Sequence, residues 1–176
     1  MSNIFRLIGP TGSGKSTAVQ QIVHSYPPHS NQLFYLQQLT RIPRMCLANS
    51  IGLNLRDNLI LIEEFLHTCG YSDLYSSILS NISLSERFLS GGETQLLKLS
   101  AMFVSSWRVS ILDEPFSALD PTTRSHCEGF LKYYFSSRPT KSLLYISHFD
   151  SDKLLANLIP IHQFSHEKNR FLPKVK

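Results

Sequence analysis

The chain has 176 residues and a mass of 20.0 kDa, the size of one domain. Hydrophobic residues make up 42%, enough for an ordinary buried core, whereas charged residues are sparse at 17%, so part of the surface is expected to be covered by partners. The net charge is +4 with no run of five or more Lys/Arg, which reads as scattered solvated lysines and arginines and is not a nucleic-acid footprint on its own.

Cys46, Cys69 and Cys127 are widely separated and form no CxxC pair. That spacing argues against a zinc site or a disulfide framework and suits a reducing compartment. No apolar stretch reaches the roughly 18 residues that a membrane-spanning helix needs. The apolar part of MSNIFRLIGP is too short for a secretory signal. A soluble chain is expected, with any membrane span supplied by another chain.

In chain order, Ile4–Ile8 reads as a buried strand cut by Arg6. A glycine-rich segment follows. Lys15–Ser25 then shows helical spacing and is stopped by Pro27 and Pro28. Leu33–Leu36 is a second strand. Residues 55–68 and 74–79 have helical spacing with Gly70 as a break, inside a helical insertion. Residues 91–106 predict a longer helix, and 109–112 a strand that runs into two acids. Residues 121–135 predict a helix with Pro121 in its first turn, where the missing N–H costs nothing. Residues 143–146 and 158–161 are further strand candidates, and the basic tail 167–176 is expected to be loose. Strands alternating with helices predict an α/β fold around a mostly parallel, doubly wound sheet.

The glycine-rich segment is Gly9-Pro10-Thr11-Gly12-Ser13-Gly14-Lys15-Ser16-Thr17. It fits the phosphate-loop pattern G-x-x-x-x-G-K-[ST] between a strand and a helix. Glycines let backbone N–H groups approach phosphate oxygens, and the helix that begins near Lys15 points its positive end at them. Lys15 is then expected on the β- and γ-phosphates, and the Ser16 hydroxyl on Mg²⁺. About a hundred residues on, the run Val109-Ser-Ile-Leu-Asp-Glu-Pro115 ends in acids. Asp113 is placed to hold the Mg²⁺ and Glu114 to polarise the attacking water.

These residues, with others, resemble the ABC-type ATPases, a family of P-loop NTPases. Leu89-Ser-Gly-Gly-Glu-Thr-Gln95 resembles the LSGGQ signature, with Glu93 in place of its Gln. Ser117-Ala-Leu-Asp120 is similar to the D-loop, Ile146-Ser-His148 to the switch histidine, and Tyr35-Leu-Gln-Gln38 to the Q-loop. Together the motifs cover nearly the whole chain. The resemblance implies one ABC domain over 1–176, with 1–38 and 89–176 as the P-loop core and 39–88 as a small helical subdomain. It implies Mg²⁺ held by Ser16, Gln38 and Asp113, and catalysis by Glu114 with Lys15, His148 and Gln38. It further implies a head-to-tail dimer, in which Ser90, Gly91, Gly92 and Asp120 of one protomer meet the ATP held by Gly9–Thr17 of the other. Ser90–Gly92 opens a helix, so the residues themselves also read as a second anion site.

The sequence departs from the family in two places. Eight residues precede Gly9 in this sequence, so no counterpart is expected here for the usual first strands and the aromatic residue that stacks on adenine; Phe5 reads as core. Leu96 and Ala101 stand where family helices carry arginine, and Ser110 interrupts an apolar strand. The more apolar helix is expected to be covered by a partner.

The leading expectation is a cytoplasmic ATPase subunit, peripheral on the inner face of the cell membrane, that closes as a dimer on ATP and drives a separate membrane-spanning subunit. Ile42, Met45, Leu47 and Ile51 are candidates for the groove that receives this subunit, and residues 50–59 resemble an exporter segment. The competing expectations are a soluble ABC ATPase acting on nucleic acid or ribosomes, and a degenerate nucleotide-binding module. The insertion is too short for the coiled coils of the DNA-repair relatives, and no nucleic-acid partner is expected.

Overall fold

A computed structural model of the chain describes residues 3–10, 12–27, 32–38, 59–80, 89–104, 107–147 and the backbone of 157–160. It divides into two compact units, Met1–Gln38 with Trp107–Pro115 and Leu131–Lys176, and Leu39–Ser106 with Phe116–Phe130.

The first unit is built on a five-stranded sheet, β1 (Ile4–Ile8), β2 (Leu33–Leu36), β3 (Val109–Asp113), β4 (Ser142–Ile146) and β5 (Asn157–Pro160), in the order β2-β3-β4-β1-β5. All four pairings are parallel. Strands of such a sheet are covered on both faces and become near-continuous apolar runs. Accordingly β3 is buried at every position, Ser110 included. On one face, α1 (Lys15–Ser25) lays Val19 and Ile22 against Leu7, Ile111, Leu144 and Ile146. Phe5, partly buried, packs against the edge of this cluster, in keeping with its place in the strand. The strand set is the one expected, with edges moved by a residue: β3 takes in Asp113, and β5 runs 157–160 where 158–161 was expected.

The second unit contains α2 (Leu59–Thr68), α3 (Ser72–Leu79), α4 (Gly91–Ser100) and the 3₁₀ turn Ala101–Phe103. The helix α5 (Pro121–Ser136) begins in this unit and supplies Phe130 to it. Gly70 breaks α2 from α3 by a left-handed residue, φ +83, while Tyr71 N–H donates to the Leu66 carbonyl at 2.8 Å and Gly70 N–H to that of His67 at 3.0 Å. That pair of bonds closes the last turn of α2, and the left-handed conformation it needs is cheap only for glycine. Phe65, Phe103 and Phe130 meet at centroid distances of 5.1, 5.3 and 5.6 Å in tilted and edge-on pairs, the favoured aromatic geometry.

Two expectations are corrected here. Residues 91–106 do not form one helix. The α-helix ends at Ser100, whose hydroxyl donates back to the Leu96 carbonyl at 2.9 Å, and the chain goes on as a 3₁₀ turn over Ala101–Phe103. The apolar face of α4 needs no partner to cover it either, because Leu96, Leu97 and Leu99 are fully buried by the chain itself. Among the described residues no helix is long and apolar enough to cross a membrane. Residues 50–58, with the groove candidates Ile42, Met45, Leu47 and Ile51, as well as Cys46 and the tail 167–176, lie outside the described residues.

Candidate active site

The strand-loop-helix order of β1 and α1 builds the floor of a pocket of about 350 Å³ in the first unit. Gly12, Gly14, Lys15, Ser16, Thr17, Gln38, Asp113, Glu114 and Ile146 line it. Four segments far apart in the chain thus converge at the ends of β1, β2, β3 and β4, where ligands of open parallel sheets bind.

The loop is shaped by left-handed glycines, with φ 78 at Gly12 and φ 86 at Gly14. Gly14 caps α1 without offering a side chain, and the first turn of α1 holds no acid. Among the described residues no side chain caps the N-terminal amides of α1, and no acid in the helix's own first turn offsets the positive end of its dipole. That is the electrostatic condition for receiving an anion. Lys15 is buried at its first turn, and its ammonium donates to the carbonyls of Gly9 and Pro10 at 2.8 and 2.9 Å. The lysine is thus held over its own loop. Ser13 Oγ is buried and makes no hydrogen bond among the described residues, so the loop contains a hydroxyl able to take a further partner.

Across the pocket stand the two acids. Asp113 is the last residue of β3, and both it and Glu114 are buried. Burial and the negative charge of Asp113 hold the Tyr35 phenol above its ordinary value, against a lowering hydrogen bond with Gln37. This places the Asp113 charge beside the end of β2. Glu114 adopts φ 52, the left-handed region, directly before Pro115. A residue preceding proline favours extended backbone, so this conformation is strained, and it turns the chain sharply at the pocket rim.

The second unit holds the remaining described candidates. Ser90 caps α4 in a reciprocal box: its hydroxyl accepts from Glu93 N–H at 3.1 Å, and the Glu93 carboxylate accepts from Ser90 N–H at 2.8 Å. The hydroxyl and amide expected to meet a phosphate are engaged within their own chain. A Cβ built on Gly92 would lie 3.7 Å from the Ala118 carbonyl oxygen and one on Gly91 3.8 Å from the Ala118 Cβ, so the start of α4 adjoins the 117–120 segment. Asp120 Oδ1 accepts from the N–H groups of Thr122 and Thr123 at 2.9 and 3.0 Å, capping α5. Hydrogen bonds from Thr123, side chain first and then backbone, hold its carboxyl below the ordinary range. Of the expected site residues, Thr11 and His148 lie outside the described residues.

A family model described as "ABC transporter" matches residues 1–117. The chain belongs to the ABC transporter family. It is an ABC-type ATPase with the P-loop NTPase fold. It is 26% identical over 170 residues to the thiamine import ATP-binding protein ThiQ of Photobacterium profundum, covering 86% of this chain and 70% of that one. It is 28% identical over 143 residues to the Fe(3+) ions import ATP-binding protein FbpC of Pseudomonas fluorescens, covering 67% of this chain and 39% of that one. Its fold matches a bacterial Atm1-family ABC exporter solved with ATP bound, with a TM-score of 0.72 and 17% identity over 89% of this chain; the match spans 32% of the exporter chain.

Three features of this ABC ATPase go beyond the motifs that its sequence presents. The Ser90–Glu93 box has the S-x-x-E spacing of a capping box and was legible as such. The contact of the Cys69 and Cys127 thiols at 3.8 Å was not, because nothing in their spacing brings them together. Arg6 interrupts an apolar strand, and that interruption is its only signal; it is buried and donates to the Ser147 carbonyl at 2.9 Å.

Proposed function

We propose that this ABC ATPase is the energising subunit of a transporter, binding MgATP on the Gly9–Thr17 phosphate loop and in the pocket lined by Lys15, Ser16, Gln38, Asp113 and Glu114, and driving a separate membrane-spanning subunit by closing as a dimer. The observation that carries this reading is the convergence of a buried lysine, an uncapped helix N-terminus, two buried acids and Gln38 on one pocket.

In this reading the α1 amides and Lys15 bind the phosphates. Ser16, Gln38 and Asp113 offer hard oxygen donors that suit Mg²⁺, whose chemistry there is to neutralise phosphate charge. Glu114 polarises the attacking water, and His148 and Lys15 stabilise the charge that develops. Ser90–Gly92 and Asp120 of a second protomer complete the site. Residues 39–88 form the helical subdomain that, with Gln38, receives the membrane subunit at the cytoplasmic face. The import proteins among its relatives, ThiQ and FbpC, support a transport role, and the exporter supports the fold alone.

The experiment is Glu114→Gln in the purified chain. Turnover of ATP is expected to fall by about a hundredfold or more with ATP affinity retained, since loss of a general base removes chemistry and leaves phosphate contacts intact. MgATP should then accumulate a dimer in sedimentation velocity. Unchanged hydrolysis by this variant overturns the catalytic assignment, and a monomer at saturating MgATP overturns the dimer.

A further inference from the structure

We propose that Arg6 is a positioning residue for Glu114, acting through the end of β4; this rests on the reading of Glu114 given above. β4 lies between β3 and β1 in the sheet. Its last residue, Ile146, is in register with Asp113 on one side and Leu7 on the other. Two consecutive carbonyls leave this strand end, and each is held from a different neighbour. The Ile146 carbonyl accepts from the backbone N–H of Glu114 at 3.0 Å. The Ser147 carbonyl accepts from Arg6 Nη2 at 2.9 Å.

A guanidinium is an expensive choice for a mid-strand position that is 7% exposed, since desolvating the charge opposes folding where a valine or isoleucine would favour it. What it supplies is a charge-assisted bond, stronger than a neutral one, from a rigid planar head. That bond fixes a carbonyl beyond the last paired residue of β4, where the sheet ladder itself no longer acts.

Glu114 needs such support. Its left-handed backbone before Pro115 persists only if the surroundings impose it. The Ile146 carbonyl is the acceptor that imposes it on one side. If the strand end shifts, the Glu114 N–H loses its partner and the turn relaxes toward extended backbone. The carboxylate then leaves the position from which it faces the pocket. Arg6 thereby sets the geometry of the acid from a neighbouring strand, without touching nucleotide.

The test is Arg6→Met, with Arg6→Lys beside it, measured in the full chain. A positioning role predicts kcat lowered by about ten- to a hundredfold, as small misplacements of a reacting group do. The KM for MgATP and the directly measured ATP affinity should stay near the parent's, because α1 and Lys15 are not altered. Arg6→Lys should recover part of kcat. A merely structural role would lower thermal stability and leave kcat unchanged at temperatures where the variant is folded, and that result overturns the proposal. Equal losses of kcat and ATP affinity also overturn it. If Arg6→Met does not fold, Arg6→Gln and Arg6→Lys carry the same comparison. Failure of the underlying reading is separate: Glu114→Gln with full turnover removes both, whereas a dead Glu114→Gln beside a fully active Arg6→Met removes Arg6 alone.

Discussion

The backbone N–H of Glu114 donates to the carbonyl of Ile146 at 3.0 Å, so the turn that ends β3 is fastened to the last residue of β4. The bond crosses between adjacent strands at the rim of the pocket. It holds the described chain's only non-glycine residue with positive φ. Two replacements separate backbone strain from chemistry. Glu114→Gly and Glu114→Ala both remove the carboxylate and should both abolish turnover. The glycine variant should be the more stable by about 1 kcal/mol, because only the alanine keeps a Cβ in the left-handed region. Urea unfolding of the two proteins measures the difference, and equal midpoints would mean the turn is unstrained.

Gly14 offers the opposite substitution. A Cβ there meets nothing within 4 Å, so Gly14→Ala adds no clash, but its φ of +86 is unfavourable to any L side chain. The variant should lose about 1 kcal/mol of stability from conformation alone. Relaxation of the loop should also weaken ATP binding, since the α1 amides turn away from the phosphates. Calorimetric titration and urea midpoints on the same sample check both; intact affinity would show that the loop tolerates an ordinary backbone here.

Glu93→Gln tests the charge at the start of α4. Glutamine preserves the capping-box hydrogen bonds while removing the negative charge beside Ser90. The helix should lose a few tenths of a kcal/mol of favourable charge–dipole interaction. In the proposed dimer, association with a second protomer should tighten, because the γ-phosphate then approaches without repulsion from the carboxylate charge beside Ser90. In the Glu114→Gln background with MgATP, sedimentation should show a stronger dimer with weaker salt dependence. A weaker dimer would assign Glu93 an attractive role.

The Cys69–Cys127 pair predicts alkaline instability. Burial pushes the Cys127 thiol well above its ordinary value of 9.0, with the Cys69 thiol and then the Glu128 charge adding to the rise. The folded chain therefore keeps its proton at pH values where the unfolded chain releases it. The stabilising contribution is complete below the ordinary thiol value and is lost as pH rises past it. The loss runs at up to about 1.4 kcal/mol per pH unit. Urea midpoints should fall from about pH 8.5 upward, and Cys127→Ala should flatten that slope. Both thiols should resist alkylation until the chain unfolds, since both are buried away from the reagent. Rapid labelling of the native protein would contradict the burial of the pair.

The sheet was legible because parallel strands bury both faces and so read as short apolar runs bounded by loop residues: β1, β2, β3 and β4 stand within a residue of where their runs predict. The pocket was legible for a different reason. The phosphate loop and the acidic strand end specify chemistry by residue type and spacing, and the sheet topology then brings them together. Helix ends were less readable. The apolar pattern of α4 continues past Ser100, and a change from α to 3₁₀ hydrogen bonding keeps similar faces buried, so hydrophobic periodicity does not register it. Arg6 was visible only as an interruption, because its partner is a backbone carbonyl 141 positions away and carbonyls carry no sequence signal. The thiol pair was hidden likewise by helix packing across 58 positions.

The uncapped start of α1 makes folding and nucleotide a single equilibrium. A helix whose first amides are left for a ligand forgoes the roughly 1 kcal/mol that a capping side chain contributes. Ligand returns it with interest: nucleotide at a hundred times its dissociation constant adds about 2.7 kcal/mol. Net stabilities of domains are only about 5–15 kcal/mol. Bound nucleotide should therefore lower the unfolded population about a hundredfold and slow proteolysis of the unfolded chain in proportion.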